Sequence, residues 1–481
     1  MGLKYLLLFV YGFITLALFA TFDGEVEVWV SFLVNAIILA GITLYHIFIE
    51  RIYSPFLSAF IVFTFLFFIV APMVQINSFE GTNPAFENHL PYSAPATVYT
   101  NVLIGLFNIV FFSSYVFFKR WRWLRASPLL SKQSQYVSPL LIVVLAVLTL
   151  LVFMASLNFV QDELTRPAWR RSVFPTVVFL IWKKVFFLVP FAGIILCFQY
   201  FKREKKKAVN YVTIIAMMIF MGVLLFWFKN PLVEKRNALG PLYISLIFLV
   251  VPKLFNTNIK SLFFLFFTMI VAFPLSAMFT HTEANFEEIL ENPLVFFEEM
   301  KGGGIASAFN TLNYDAFSNI MATMDRVHYH GFEYGNQLLS AFLFFVPRGL
   351  WEDKPISTGE LVGNHLIDRY EFTYSNLSNP LVSEGYINFG IAGVVIGAFI
   401  LALVLVRFLG WLHSKDMLKR LMAFYLAIHL IFLLRGDFTN GFSYYVGALI
   451  GVIVIPKAIE AFLKHLLKRQ QQWKHSRPQK A

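Results

Sequence analysis

Residues Gln337–Pro355 read QLLSAFLFFVPRGLWEDKP. The first part, Leu338–Val346, is nine residues with one Ser and no charge, too short to cross a hydrocarbon core of roughly 30 Å. It stops at Pro347-Arg348 and is followed by Trp351, Glu352, Asp353 and Lys354. An apolar run that cannot span, ended by proline and closed by charge and an indole, reads as a segment dipping into the outer surface of a bilayer. Trp favours that depth because its ring is apolar while its N–H wants a partner. The pattern leaves open an ordinary amphipathic loop helix packed on its neighbours.

The surrounding composition decides that a bilayer is present. The chain is 58% hydrophobic and 14% charged, with 57 Phe and long uncharged runs from end to end. This describes an all-α polytopic membrane protein rather than a soluble enzyme with an anchor. The single cysteine, Cys197, lies in an apolar run and excludes an intrachain disulfide. The net charge of +11 follows the expected membrane loops, so it does not indicate nucleic acid. The first apolar run, Tyr5–Phe19, has no small-residue cleavage site after it and reads as a retained helix.

Twelve spans are expected, at about 3–21, 28–48, 55–74, 97–118, 137–160, 176–200, 208–228, 239–252, 259–279, 387–411, 418–434 and 441–463. The eighth is short. Lys and Arg in short loops favour the cytoplasm. They gather at Lys119–Lys132, Lys202–Lys207, Lys415–Arg420 and in the tail, all on one side of a twelve-span topology. The loop with Arg166, Arg170 and Arg171 is the exception. Both termini are then cytoplasmic, and the loop Thr280–Tyr386 is outside, with five Lys or Arg against fifteen Asp or Glu. The expected division is residues 1–279 with nine spans, the large loop 280–386, three spans in 387–463, and a basic tail, 464–481.

Against this frame, some basic residues stand outside with no orientation signal to explain them. They are Lys183-Lys184, Lys235-Arg236, Arg348, Lys354 and Arg435. Each is either a snorkelling side chain, an ion pair with a neighbour such as Glu234, Glu352 or Asp437, or part of an anion site. Three arginines at one depth (Arg236, Arg348 and Arg435) suit a diphosphate, because the planar guanidinium matches phosphate oxygens and stays charged when partly dry. Glu384, just outside the tenth span, is placed to accept a proton from a sugar hydroxyl, with Asp315 behind it. A helix-entry acid complementing the helix dipole is the alternative. The acids of Glu283–Glu299 read as a solvated helix face, and Gly302-Gly303-Gly304 as a flexible break. His328 and His330 have no metal-ligand spacing around them, and no nucleotide motif or cofactor signature is present.

Pro347–Pro355, followed by Ser383-Glu384-Gly385-Tyr386-Ile387-Asn388-Phe389-Gly390 and Gly393, resembles the Wzy-type oligosaccharide repeat-unit polymerases of O-antigen and capsule synthesis. The resemblance extends to the basic pair at Lys183-Lys184, to Arg236 before a hydrophobic helix, and to Arg435 at the outer end of a late one. It implies en bloc transfer of a glycan from undecaprenyl diphosphate to another lipid-linked repeat unit. The transfer is expected without a metal, at the outer face of the bacterial cytoplasmic membrane. Lys184, Arg236, Arg348, Lys354, Arg435 and Trp351 then bind substrate, and Glu384 and Asp315 are the catalytic carboxylates. Partners implied are the lipid-linked oligosaccharide, membrane lipids, a chain-length regulator and a flippase. The rivals are an O-antigen ligase, which uses a lipid A core acceptor, and a flippase that moves the same lipid without chemistry. No loop histidine matches the ligases, and no two halves of the chain match each other as flippase repeats do.

Overall fold

The computed structural model describes residues 2–79, 93–121, 137–165, 173–202, 208–231, 234–272, 309 and 312–476. Among them every regular element is helical and there is no strand. Ten helices among the described residues are long and apolar enough to span a membrane: Gly2–Thr21, Val26–Ile49, Pro55–Ile76, Ala94–Phe118, Pro139–Leu164, Val177–Phe201, Tyr211–Phe228, Leu381–Leu412, Met417–Arg435 and Phe438–Arg469. The expected eighth and ninth spans coincide with shorter apolar helices, Arg236–Val250 and Asn258–Val271, and residues 273–279 of the ninth lie outside the described residues. Fifteen residues, the length of the first, rise only about 22 Å, short of a hydrocarbon core. Glu283–Glu299, Gly302-Gly303-Gly304, Arg166, Arg170 and Arg171 lie outside the described residues, as do Arg122, Arg125, Lys132 and 203–207.

The chain forms two compact units. The first comprises Met1–Arg125, Val250–Leu409 and Ala427–Phe442. Its central helix, Pro55–Ile76, is apolar on every side and correspondingly 94% buried, with Pro55 at its first turn. Phe60 stacks on Phe111 with ring centres 4.1 Å apart, and Asn35 donates to both oxygens of Asn101 at 2.9 Å. The described part of the large loop belongs here, as helices Ala316–His330, Asn336–Phe342 and Thr358–Tyr370. A small apolar core of Ala322, Val327, Val362, Leu366, Phe372, Leu377 and Ile387 joins the first and third of these to the next helix.

That next helix corrects an expected boundary. The chain is helical from Leu381, but Phe389 (φ −143°, ψ 20°) and Gly390 (φ 59°, ψ −142°) leave helical geometry. A short helix, 381–388, therefore precedes a spanning segment, 391–412, which rises about 33 Å. The two pieces meet at glycines: a Cβ on Gly393 would lie 1.9 Å from the Gly385 carbonyl oxygen, and one on Gly385 would lie 2.6 Å from that of Gly393. The segment Gly331–Gly335 caps the broken end. Glu333 N donates to Ile387 O at 2.9 Å, Tyr334 N to Asn388 O at 3.2 Å, and Gly335 N to Asn388 Oδ1 at 2.8 Å.

The second unit comprises Ala126–Leu249, Gly410–Leu426 and Ser443–Ala481. Phe187 and Phe228 stack at 4.5 Å in a core with Val152, Phe159, Val160 and Leu224. Beside this core lies a buried charge network: Lys183 pairs with Glu163 and, at 3.7 Å, with Glu234, which also takes Lys229 at 3.2 Å. For Lys183 the ion-pair reading is therefore the one observed.

Candidate functional site

The first unit gathers carboxylates where two helices begin. Thr358–Tyr370 starts behind Ser357, whose side chain accepts from Glu360 N, and Phe438–Leu449 starts immediately after Asp437. Both N-termini offer unpaired N–H groups and a positive dipole end, so each favours an anion. The anions here are the protein's own. Glu384 accepts from the Thr358 hydroxyl at 2.7 Å and from Phe438 N at 3.1 Å. Asp437 accepts from Thr439 N at 2.8 Å and from Asn440 N, Gly359 N and the Ser357 hydroxyl. Glu384 is 2% exposed, and the two carboxylates are near enough to interact electrostatically. Burial holds the Asp437 carboxyl above its ordinary range. The pair latches the short helix 381–388 to both N-termini.

Glycine makes this closeness possible. Gly436 has φ +95°, and a Cβ there would lie 1.5 Å from Asn379 O. A Cβ on Gly359 would meet Leu377 O at 2.0 Å.

On the other side of Gly436, Arg435 ends the helix Met417–Arg435. Its Nη2 donates to Asp315 Oδ1 at 3.3 Å, and the same oxygen accepts from the Ser378 hydroxyl at 2.5 Å. Asn319 binds Ser378 in turn, and Thr323 donates to Asn379 Oδ1 at 3.0 Å. Asp315 is buried, whereas the Arg435 side chain is 23% exposed. A rigid polar scaffold thus holds a guanidinium with part of its surface open, which suits an anionic ligand in a partly dry site.

The other predicted residues fall elsewhere. Arg348 is exposed and donates to Lys354 O at 2.6 Å within its own loop. Lys354 donates to the carbonyls of Leu343, Phe344 and Val346 at 2.9–3.0 Å, closing the end of the short apolar run. That run is helical only over Asn336–Phe342, with Leu339, Phe342 and Phe345 exposed and Trp351 half-buried. Lys184 and Arg236 belong to the second unit. Lys184 is buried, donates to Ser443 and lies 4.3 Å from the Tyr444 ring centre. Arg236 is the first residue of its helix, where a cation opposes the dipole and so needs a reason beyond helix stability.

The structure therefore brings together Asp315 with Arg435, and Arg348 with Lys354. It adds Thr358, Ser378 and Asn379, which the sequence did not single out, and gives Asp437, expected only as an ion-pair partner of a basic residue, a place in the latch instead. The usable signal was Arg435-Gly436-Asp437: a glycine between opposite charges, directly before a helix. Among the described residues no three His, Cys, Asp or Glu side chains converge as a metal-ligand set.

Fold and composition define a multi-pass, all-helical membrane protein. Residues 377–465 match the family model described as O-antigen polysaccharide polymerase Wzy. The resemblance to Wzy-type polymerases is thereby shown over this segment, which contains the bent helix, Glu384, Arg435 and Asp437, and it supports polysaccharide polymerisation in general. No curated protein and no solved structure matches the chain.

Proposed function

We propose that the protein polymerises undecaprenyl-diphosphate-linked oligosaccharide repeat units into a surface polysaccharide. The transfer is en bloc, at the outer face of the bacterial cytoplasmic membrane, with both termini cytoplasmic. The observation that carries this reading is the scaffolded, partly open Arg435 inside the family-matched segment. A hydroxyl of the acceptor glycan attacks the anomeric carbon of the donor, and the bond to the diphosphate oxygen breaks. The electron pair leaves with the lipid diphosphate, which also takes up the proton of the attacking hydroxyl and whose growing charge Arg435 stabilises, with Arg348 as a second guanidinium from the loop. With that charge met by guanidinium, no divalent metal is needed, so polymerisation of purified lipid-linked repeat units by the purified protein should persist in EDTA; polymerisation that stops in EDTA and recovers with Mg²⁺ or Mn²⁺ would refute it. Asp315 and Glu384, both buried and bonded within the protein, enter as positioning residues: Asp315 aims Arg435, and Glu384 fixes the turn that carries it.

Lys184 and Arg236 remain candidates for donor binding. Trp351 and Lys354 would shape the interfacial loop. A flippase supplying the substrate and a chain-length regulator are the proposed partners.

Arg435→Lys keeps the charge and loses the fork, so polymer formation should fall about tenfold or more. The measurement is the chain-length ladder from a deletion strain carrying Arg435→Lys, Arg348→Lys or Arg236→Ala, each normalised to membrane abundance. Wild-type ladders in all three would mean that these arginines serve only the local structure of their helices and loop.

A further inference from the structure

Away from the Glu384–Asp437 latch, helices Ala316–His330 and Thr358–Tyr370 bring a second set of side chains together. Asp325 Oδ2 accepts from His365 Nε2 at 2.8 Å and from the Tyr370 hydroxyl at 2.9 Å. The carboxylate thus orients the imidazole through Nε2. The His330 ring stands edge-on to His365, with centres 5.3 Å apart. Arg369 lays its guanidinium 3.5 Å from the Tyr329 ring centre and also donates to the Tyr329 hydroxyl. Tyr329 is 48% exposed, and His330 and Arg369 are exposed beside it. The latch and the Arg435 site use none of these groups.

The chemistry of the patch selects among ligands. An exposed ring offers a flat apolar face to the C–H bonds of a pyranose. The exposed His330 imidazole and Arg369 guanidinium, with the partly exposed Tyr370 phenol and Asp325 carboxylate, give the alternating donors and acceptors that neighbouring sugar hydroxyls require, and the buried His365 holds Asp325 from behind. A metal is disfavoured by the guanidinium at the centre, and an acyl chain by the polar rim. We propose that the Tyr329–Arg369–His365–Asp325 patch is a glycan-binding subsite holding the oligosaccharide of a repeat unit or of the growing chain. It rests on the polymerase reading, because both glycans are substrates only there.

The test uses the full-length protein in detergent micelles and two probes freed of lipid by mild acid from the source cell's surface polysaccharide. One is a single repeat-unit oligosaccharide and the other a fragment of several units. Saturation-transfer NMR should show sugar signals with the wild type. Tyr329→Leu and Arg369→Gln, both at exposed positions, should weaken binding about tenfold. Tyr329→Phe, which keeps the ring, should stay within about threefold. Tighter binding of the longer probe assigns the subsite to the growing chain, and tighter binding of the single unit assigns it to the incoming one. Equal binding by the wild type and both disruptive variants, or no transfer to either probe in the wild type, overturns the proposal. Whether the wild-type gene restores a ladder in a deletion strain scores the polymerase reading separately.

Discussion

Replacing Gly436 with alanine tests whether the turn between Arg435 and Asp437 sets the geometry of the site. The residue has φ +95°, where a Cβ is strained by about 1 kcal/mol before any contact is considered. The new methyl would lie 1.5 Å from Asn379 O, about half the 3.0 Å below which real Cβ contacts essentially do not occur. The methyl is fixed to the backbone and the atoms it meets are backbone atoms of Asn379, so no side-chain rotation relieves the clash, and the two segments must separate by about 1.5 Å. Overpacking of that kind costs about 1–3 kcal/mol, giving about 2–4 kcal/mol with the strain. The displaced residues are Arg435 and Asp437 themselves, and a shift of about 1 Å at a reacting centre can lower a rate about 100-fold. Gly436→Ala should therefore abolish the ladder while membrane abundance falls less. Gly397→Ala is the control: no atom lies within 4 Å of its Cβ, and a helical Gly→Ala change is worth about 0.5–1 kcal/mol in the stabilising direction. A normal ladder and an unchanged melting temperature for Gly436→Ala would refute the reasoning.

Two further outcomes are expected. Because burial raises the Asp437 carboxyl, the folded protein keeps that proton to higher pH than the unfolded chain. Its stabilising contribution is full below about pH 4 and is lost as pH rises through the folded-state value. Melting temperatures of the detergent-solubilised protein should therefore decline from pH 4 upward more steeply than those of Asp437→Asn; parallel curves would remove the titration from the account. Topology reporters at Ser131 and Lys206 should read cytoplasmic, and one at Gly303 external. Counting both short helices as spans, or neither, leaves these sides unchanged, and a cytoplasmic Gly303 would put the donor glycan on the wrong side.

The helical membrane class was legible because it depends on summed apolar surface, which composition reports directly. Span count was less legible: the run at 239–252 is hydrophobic, yet hydropathy does not say whether a fifteen-residue helix crosses or stops inside. The sharpest-looking motif, Pro347–Pro355, lies outside the family-matched segment, whereas the plainer Ser383–Gly393 lies within it. Physics separates the two. In the first, a charged lysine folds back to cap three local carbonyls, an arrangement set by loop closure that no linear pattern encodes. In the second, Gly385, Gly390 and Gly393 allow a close backbone crossing, and Glu384 crosses to a helix 54 residues further on. A carboxylate read as helix-entry acid or base from its own surroundings thus serves the N-termini of two other helices. What remained hidden was long-range pairing: Asp315 lies 120 residues from Arg435, while Asp437, two residues away, serves the latch instead.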